Sequence, residues 1–265
     1  MVKLGVNSVL FKAFDFETAA KAIKLCGYDG VEISGIQGMC EHLNLARWRE
    51  DKANLQAISN GLDLPFLSTE IASRDRERLL IAFEACAEIG IPVINIGPGG
   101  ASDNEESLLE TIESLKILAE DAQSFGVTLC CKAHVGNAIY STPTTLRAMD
   151  EIKSDSFGID MDPSHIHRAG EKTDEALKKV VSRVKHIHIR DCKGLGPSPG
   201  EPALQACGRG DIDLYKYFEV LASAGYKGPV CLEVIGPEQK LHEAMAIASE
   251  SYGYMNAVLK HLKAR

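Results

Sequence analysis

The chain has 265 residues, a formal net charge of −8 and 25% charged residues, enough for one large α/β domain with a substantial core. No long Lys/Arg block offsets that acidic balance, which argues against nucleic acid or an anionic membrane as the main partner, and no apolar run approaches the ~18 residues of a membrane span. Eight cysteines show no paired framework, and Cys26, Cys86 and Cys131 sit on apolar faces, so they read as buried reduced thiols of a cytoplasmic protein.

In chain order, β-like runs near 3–7, 28–34, 63–69, 91–97, 127–134, 156–162, 184–190 and 229–235 alternate with amphipathic helical patterns near 15–26, 41–60, 73–89, 103–125, 143–153, 171–183, 211–224 and 237–262. No linker divides them. Eight strand–helix pairs predict a (β/α)8 TIM barrel as a single domain over 1–265, with a doubly wound open sheet as the structural rival. An internal echo supports the repeat. Cys26-Gly27-Tyr28-Asp29-Gly30-Val31-Glu32 resembles Ala224-Gly225-Tyr226-Lys227-Gly228-Pro229-Val230-Cys231-Leu232-Glu233, each with a glycine to end a helix and a glutamate to end a strand. Both glutamates are expected at the barrel mouth, Glu32 as a substrate contact or, equally, as one half of a rim salt bridge.

Five of the eight histidines fall between His134 and His188. Side chains alternate across a strand, so Ile187 and Ile189 share one face while His186 and His188 share the other; Lys132 and His134 pair in the same way. Asp162, His188 and Glu233 are thus three inward-facing groups at three strand ends. Carboxylate and imidazole donors suit a divalent ion such as Mn, Mg, Co or Zn. Asp162, in Asp-Pro-Ser-His, reads equally as a helix N-cap, and the histidines taken singly read as core residues.

Asp-x-x-His at Asp162 and His165, His-x-His-x-x-Asp from His186 to Asp191, Gly-Arg-Gly-Asp-Ile-Asp from Gly208 to Asp213 and Gly-Tyr-x-Gly-Pro before Glu233 resemble the xylose isomerase-like barrel superfamily, which includes sugar phosphate isomerases and epimerases. The resemblance implies metal ligation by Asp162, His188 and Glu233, proton transfer by Glu233 and a substrate-hydroxyl contact from His165. One position departs from the pattern. Relatives commonly show Glu-x-His on the fifth strand, where this chain has Lys132-Ala133-His134. Lys132 then reads as a tuned acid/base amine, as a cation standing in for the metal, as a Schiff-base nucleophile or as a purely structural ion-pair partner. His134 is a candidate for part of the missing glutamate's role.

The connection from Cys192 to Gly210 is long for a structureless loop, and loops of that length often carry function. It is expected to cover the mouth and to bring Arg209, with Gln205, to the substrate. Gly97-Pro98-Gly99-Gly100 offers backbone for close approach to a ligand. Together these features predict a metal-assisted sugar isomerase or epimerase that abstracts a proton next to a carbonyl in a keto sugar or related polyhydroxylated compound. The alternatives are a lyase or dehydratase acting on a keto sugar or inosose-like substrate, a noncatalytic subunit with a degenerate site and, disfavoured by the charge, an endonuclease. Homo-oligomerisation is left open.

Overall fold

A computed structural model describes all of residues 1–265. Eight parallel strands form the barrel: β1 (Lys3–Asn7), β2 (Gly30–Ile36), β3 (Phe66–Glu70), β4 (Val93–Ile96), β5 (Thr128–Lys132), β6 (Phe157–Asp160), β7 (Val184–Ile189) and β8 (Pro229–Leu232). β1 pairs with both β2 and β8, through Asn7 opposite Glu32 and Val6 opposite Leu232. The sheet therefore closes, which excludes the open-sheet rival. A two-residue strand, Cys40–Glu41, adds to the end of β2 in antiparallel sense.

The outer helices pack on the apolar strand faces in one cluster of 72 buried residues, so the chain has one core. Local chemistry sets the helix ends. Asp15 and Asp75 cap Phe16–Leu25 and Arg76–Ile89 by accepting from Thr18 N and Arg78 N, which satisfies amides that have no intrahelical partner. Gly27 and Gly225, the echo glycines, take φ of 97° and 67°, a left-handed conformation that stops the helix before β2 and β8. The helix expected over 41–60 starts only at Trp48, because the preceding residues include the short strand. A short helix not anticipated, Pro163–Arg168, follows β6.

Barrels of this kind usually fill with branched apolar side chains. Here the inward positions instead carry Asn7, Glu32, Ser68, Glu70, Asn95, Lys132, Asp160, His186 and His188, all buried. Such a core is tolerable only if its groups partner one another. All eight cysteines are free and buried, and no helix is long and apolar enough to cross a membrane.

Candidate active site

The C-terminal ends of the strands open into a cavity of about 460 Å³ whose floor includes Glu70, Lys132, Arg190 and Glu233, with His134 and His165 on its wall. Glu70 and Lys132 are the last residues of β3 and β5, while Arg190 and Glu233 stand one residue beyond β7 and β8. Strand ends at matching height deliver these four side chains to one place.

Lys132 is the hub. Its Nζ donates to Glu70 Oε1 and Glu233 Oε1, both at 2.8 Å, and lies 3.3 Å from His188 Nδ1. Burial opposes charge on this amine, but Glu233 and Glu70 more than offset it and raise its pKa, holding an ammonium. The two carboxyls are driven apart. Burial and the neighbouring Glu233 push Glu70 up to about 8. Glu233 is held well below the usual carboxylate range because Lys132, His188 and Arg190 overcome its desolvation.

Arg190 is the second fixed cation. It donates from Nε to Ser164 Oγ at 2.8 Å and from Nη2 to Asp162 Oδ2 at 2.8 Å, and its Nη1 lies 3.1 Å from Glu233 Oε2. That last pair lacks hydrogen-bond geometry, so both atoms remain buried without a hydrogen-bond partner. Asp162 also accepts from Ser164 N at 2.8 Å, capping the short helix and so fulfilling the N-cap reading. His165 lies between two arginines, with Nε2 and Nδ1 each 2.9 Å from a guanidinium nitrogen of Arg190 and Arg168. Burial and Arg190 push its pKa well down, so it is neutral.

Beneath this layer His188 stands between two carboxylates. Its Nε2 is 2.6 Å from Glu32 Oε2 and its Nδ1 is 2.6 Å from Asp160 Oδ2. Burial would discharge the ring, but Asp160 and Glu32 raise its pKa well above the ordinary value. Asn95 donates to Glu32 at 2.6 Å, and His186 bridges Asp160 and Ser68 at 3.0 and 2.9 Å. This platform fixes His188 from below.

The structure brings Lys132, Glu233, His134 and His165 to the cavity, with Asp162 immediately behind Arg190. Two expected contacts are displaced. Glu32 lies inside β2 rather than at its end, fully buried and engaged by His188 and Asn95, so it supports the floor and does not line the cavity. Arg209 faces outward, 49% exposed and paired with Glu250 at 2.7 Å; the loop carries it away from the mouth. The loop does overhang the cavity, through Pro197 and Pro199. Gln205 is its anchor, donating to Gly200 O and Ile235 O and accepting from Ile235 N at 2.8, 2.5 and 3.0 Å. Sequence reasoning missed Glu70 and Arg190. Glu70 ends the alternation Phe66-Leu67-Ser68-Thr69-Glu70, one residue beyond the expected strand, and Arg190 shares the parity of His186 and His188.

Three groups of side chains have donor atoms close enough to hold a metal: Glu32–His186–Cys231, Asp160–His186–His188 and Glu70–His188–Glu233, each with all its atoms within 4.8 Å of one another. Only the last reaches the mouth, and Lys132 Nζ stands among its donors. A divalent ion about 4 Å from the Lys132 ammonium would meet repulsion of about 8 kcal/mol at an effective dielectric of 20, which cancels the attraction of one carboxylate such as Glu233 at the same distance. A doubly protonated His188 has no lone pair to offer, and Asp162 is committed to Arg190. In this arrangement the mouth residues do not fit a divalent ion.

A family model described as xylose isomerase-like TIM barrel matches residues 17–256. An inosose dehydratase of Clostridium perfringens is 29% identical over 142 residues, 49% of this chain and 48% of that protein, so the chain spans about half the length of this relative in the match. An inosose dehydratase of Clostridium beijerinckii is 23% identical over 270 residues, 88% and 89% of the two chains. Among solved structures, a D-tagatose 3-epimerase-like protein superposes with a TM-score of 0.80 at 18% identity, covering 99% and 98%. The probable 3-DHS dehydratase AsbF of Bacillus anthracis gives 0.78 at 14%, covering 96% and 99%. At these identities the structural likeness speaks for the fold alone.

Proposed function

The chain belongs to the xylose isomerase-like TIM-barrel family, and on that premise we propose that it is a sugar isomerase or epimerase that moves a proton next to the carbonyl of a polyhydroxylated substrate. The observation that carries this reading is the pair Glu70 and Glu233, two carboxyls with opposed proton affinities bridged by one ammonium and open to the cavity. Environments that drive two titratable groups apart divide acid from base. Glu233, ionised, accepts the proton from carbon; Glu70, protonated up to about pH 8, returns one.

A carbanion next to a carbonyl is accessible only if its charge moves onto oxygen and is stabilised there. In relatives that carry a divalent ion, the ion supplies this stabilisation. Here the role falls to Lys132 and Arg190, two fixed cations beside Glu233. When a substrate oxygen draws hydrogen bonds from them, Glu233 loses part of the stabilisation that keeps it a weak base. Its basicity then rises as the enediolate charge develops. His165, neutral, accepts from one of its two arginines and keeps one ring N–H, with which it orients a hydroxyl.

The names of the sequence relatives favour a second reading. If a hydroxyl lies β to the carbanion, Glu70 protonates it and the same intermediate eliminates water. Incubation in D2O with a panel of ketoses and inososes, followed by proton NMR, tests both readings. The expected result is solvent deuterium entering at carbon next to the carbonyl in at least one substrate, lost in Glu233→Gln. Absence of exchange across the panel would refute proton abstraction, and product analysis separates isomer from dehydrated product.

A further inference from the structure

Four cationic side chains line the cavity (Arg74, Lys132, Arg168 and Arg190) against two carboxyls, Glu70 and Glu233. Lys132 and Arg190 are paired with acidic partners on the floor. Arg74 and Arg168 have no carboxylate partner: neither stands within ion-pair distance of one, in a protein whose net charge is −8. Arg168 is buried, donating to Ser164 O and Pro197 O at 3.1 and 2.7 Å and standing 2.9 Å from His165 Nδ1, so three of its five N–H groups face neutral partners and none a carboxylate. Arg74 keeps a buried Nε with no hydrogen-bond partner.

For Arg168, withdrawal from water without a counter-charge is unfavourable unless something supplies the charge; Arg74 is half-buried at the cavity wall. Arg74 lies against Gly99, whose φ of 64° belongs to the tight turn after β4, and from there it lines the cavity.

We infer that Arg74 and Arg168 form an anion-binding subsite in this cavity, so that the substrate carries a carboxylate or a phosphate in addition to its carbonyl and hydroxyls. The inference rests on the reading of the floor as the reacting site, since Lys132, Glu70 and Glu233 must then face the carbonyl end while the arginines hold the acidic end. Guanidinium groups suit planar or tetrahedral oxyanions through paired hydrogen bonds. A local positive field in an otherwise acidic protein focuses anions on the mouth.

Calorimetric titration of the full chain with D-fructose, 5-keto-D-gluconate and D-fructose 6-phosphate tests this, the two acids distinguishing carboxylate from phosphate. At least one acid is expected to bind about tenfold or more tightly than fructose, with the advantage shrinking as salt is raised. Arg74→Gln should bring that acid to within about threefold of fructose. Arg74→Lys, which keeps the charge without the guanidinium fork, should retain only part of the preference for the acid. Acids binding no tighter than fructose, or a preference that survives Arg74→Gln, would overturn the inference. Because binding is read without turnover, an Arg74-dependent acid preference with no deuterium exchange across the whole panel leaves the subsite standing and defeats the enzymatic reading. Exchange with ketoses at no preference for acids does the reverse.

Discussion

Lys132 occupies the place where family resemblance leads one to expect a ligand glutamate, and its surroundings decide what it does. A Schiff base or a tuned neutral amine needs a depressed pKa, whereas the ionised Glu233, with Glu70 also at 2.8 Å, raises this one. Lys132→Gln should therefore lower turnover by about 10²–10³, the usual loss when one oxyanion donor is removed, with the fold checked by circular dichroism. Glu70 gives a sign that can be worked out. Its folded pKa of about 8 exceeds the ordinary 4.5, so its contribution to stability is full below about 4.5 and lost as pH rises through about 8. Glu70→Gln has no such loss, so its melting temperature should gain on the wild type between pH 5 and pH 9; because the amide cannot return a proton, turnover should fall by about 10²–10⁴, and the residual activity should lack the alkaline fall near pH 8. Arg209→Ala, at an exposed pair, should leave kcat/KM within about twofold. Of the residue-level site, Glu233, His165 and Lys132 were legible because parity and motif spacing both mark them. Arg190 and Glu70 were not, because an arginine and a glutamate at strand ends ordinarily read as rim charges.

Among elements, the strand–helix alternation and the closing echo at Gly27 and Gly225 could be read directly, since apolar periodicity and helix-stopping glycines are local signals. Strand ends could not. Glu32 and Glu233 follow nearly the same local sequence, yet β2 continues to Ile36 whereas β8 ends at Leu232, and that difference in length buries one glutamate and exposes the other to the cavity. Pairing across the barrel sets it, and no short window contains that information. The long loop was rightly expected over the mouth but with the wrong residue as its reach; Gln205 instead ties it to the backbone after β8. Gln205→Ala leaves Ile235 N and O without partners, so thermal unfolding should show a loss of about 1–3 kcal/mol and KM should rise as Pro197 and Pro199 loosen. At the lower end of the barrel a Cβ on Gly30 would lie 2.6 Å from Pro65 O, so Gly30→Ala should destabilise by about 1–3 kcal/mol with the substrate affinity of the folded protein unchanged.

At the scale of the whole molecule the barrel interior is an electrostatic stack. Glu32, Asp160 and His186 hold His188 from below, His188 faces Lys132 above it, and Lys132 and Arg190 present positive charge to the cavity. His188 and Lys132 repel one another, but Glu32 and Asp160 offset the first and Glu233 with Glu70 the second, and this interleaving of acids and cations is how a core with so many ionisable groups stays folded. The arrangement places organic cations where the mouth would otherwise accept a divalent ion. Deuterium exchange into the best ketose or inosose substrate, measured on wild type and Lys132→Gln after exhaustive treatment with a chelator, addresses that claim most directly. Wild-type exchange should persist at an undiminished rate without added metal and fall by about 10²–10³ in Lys132→Gln. Exchange that disappears with chelator and returns with a divalent ion, or that is indifferent to Lys132, would contradict it.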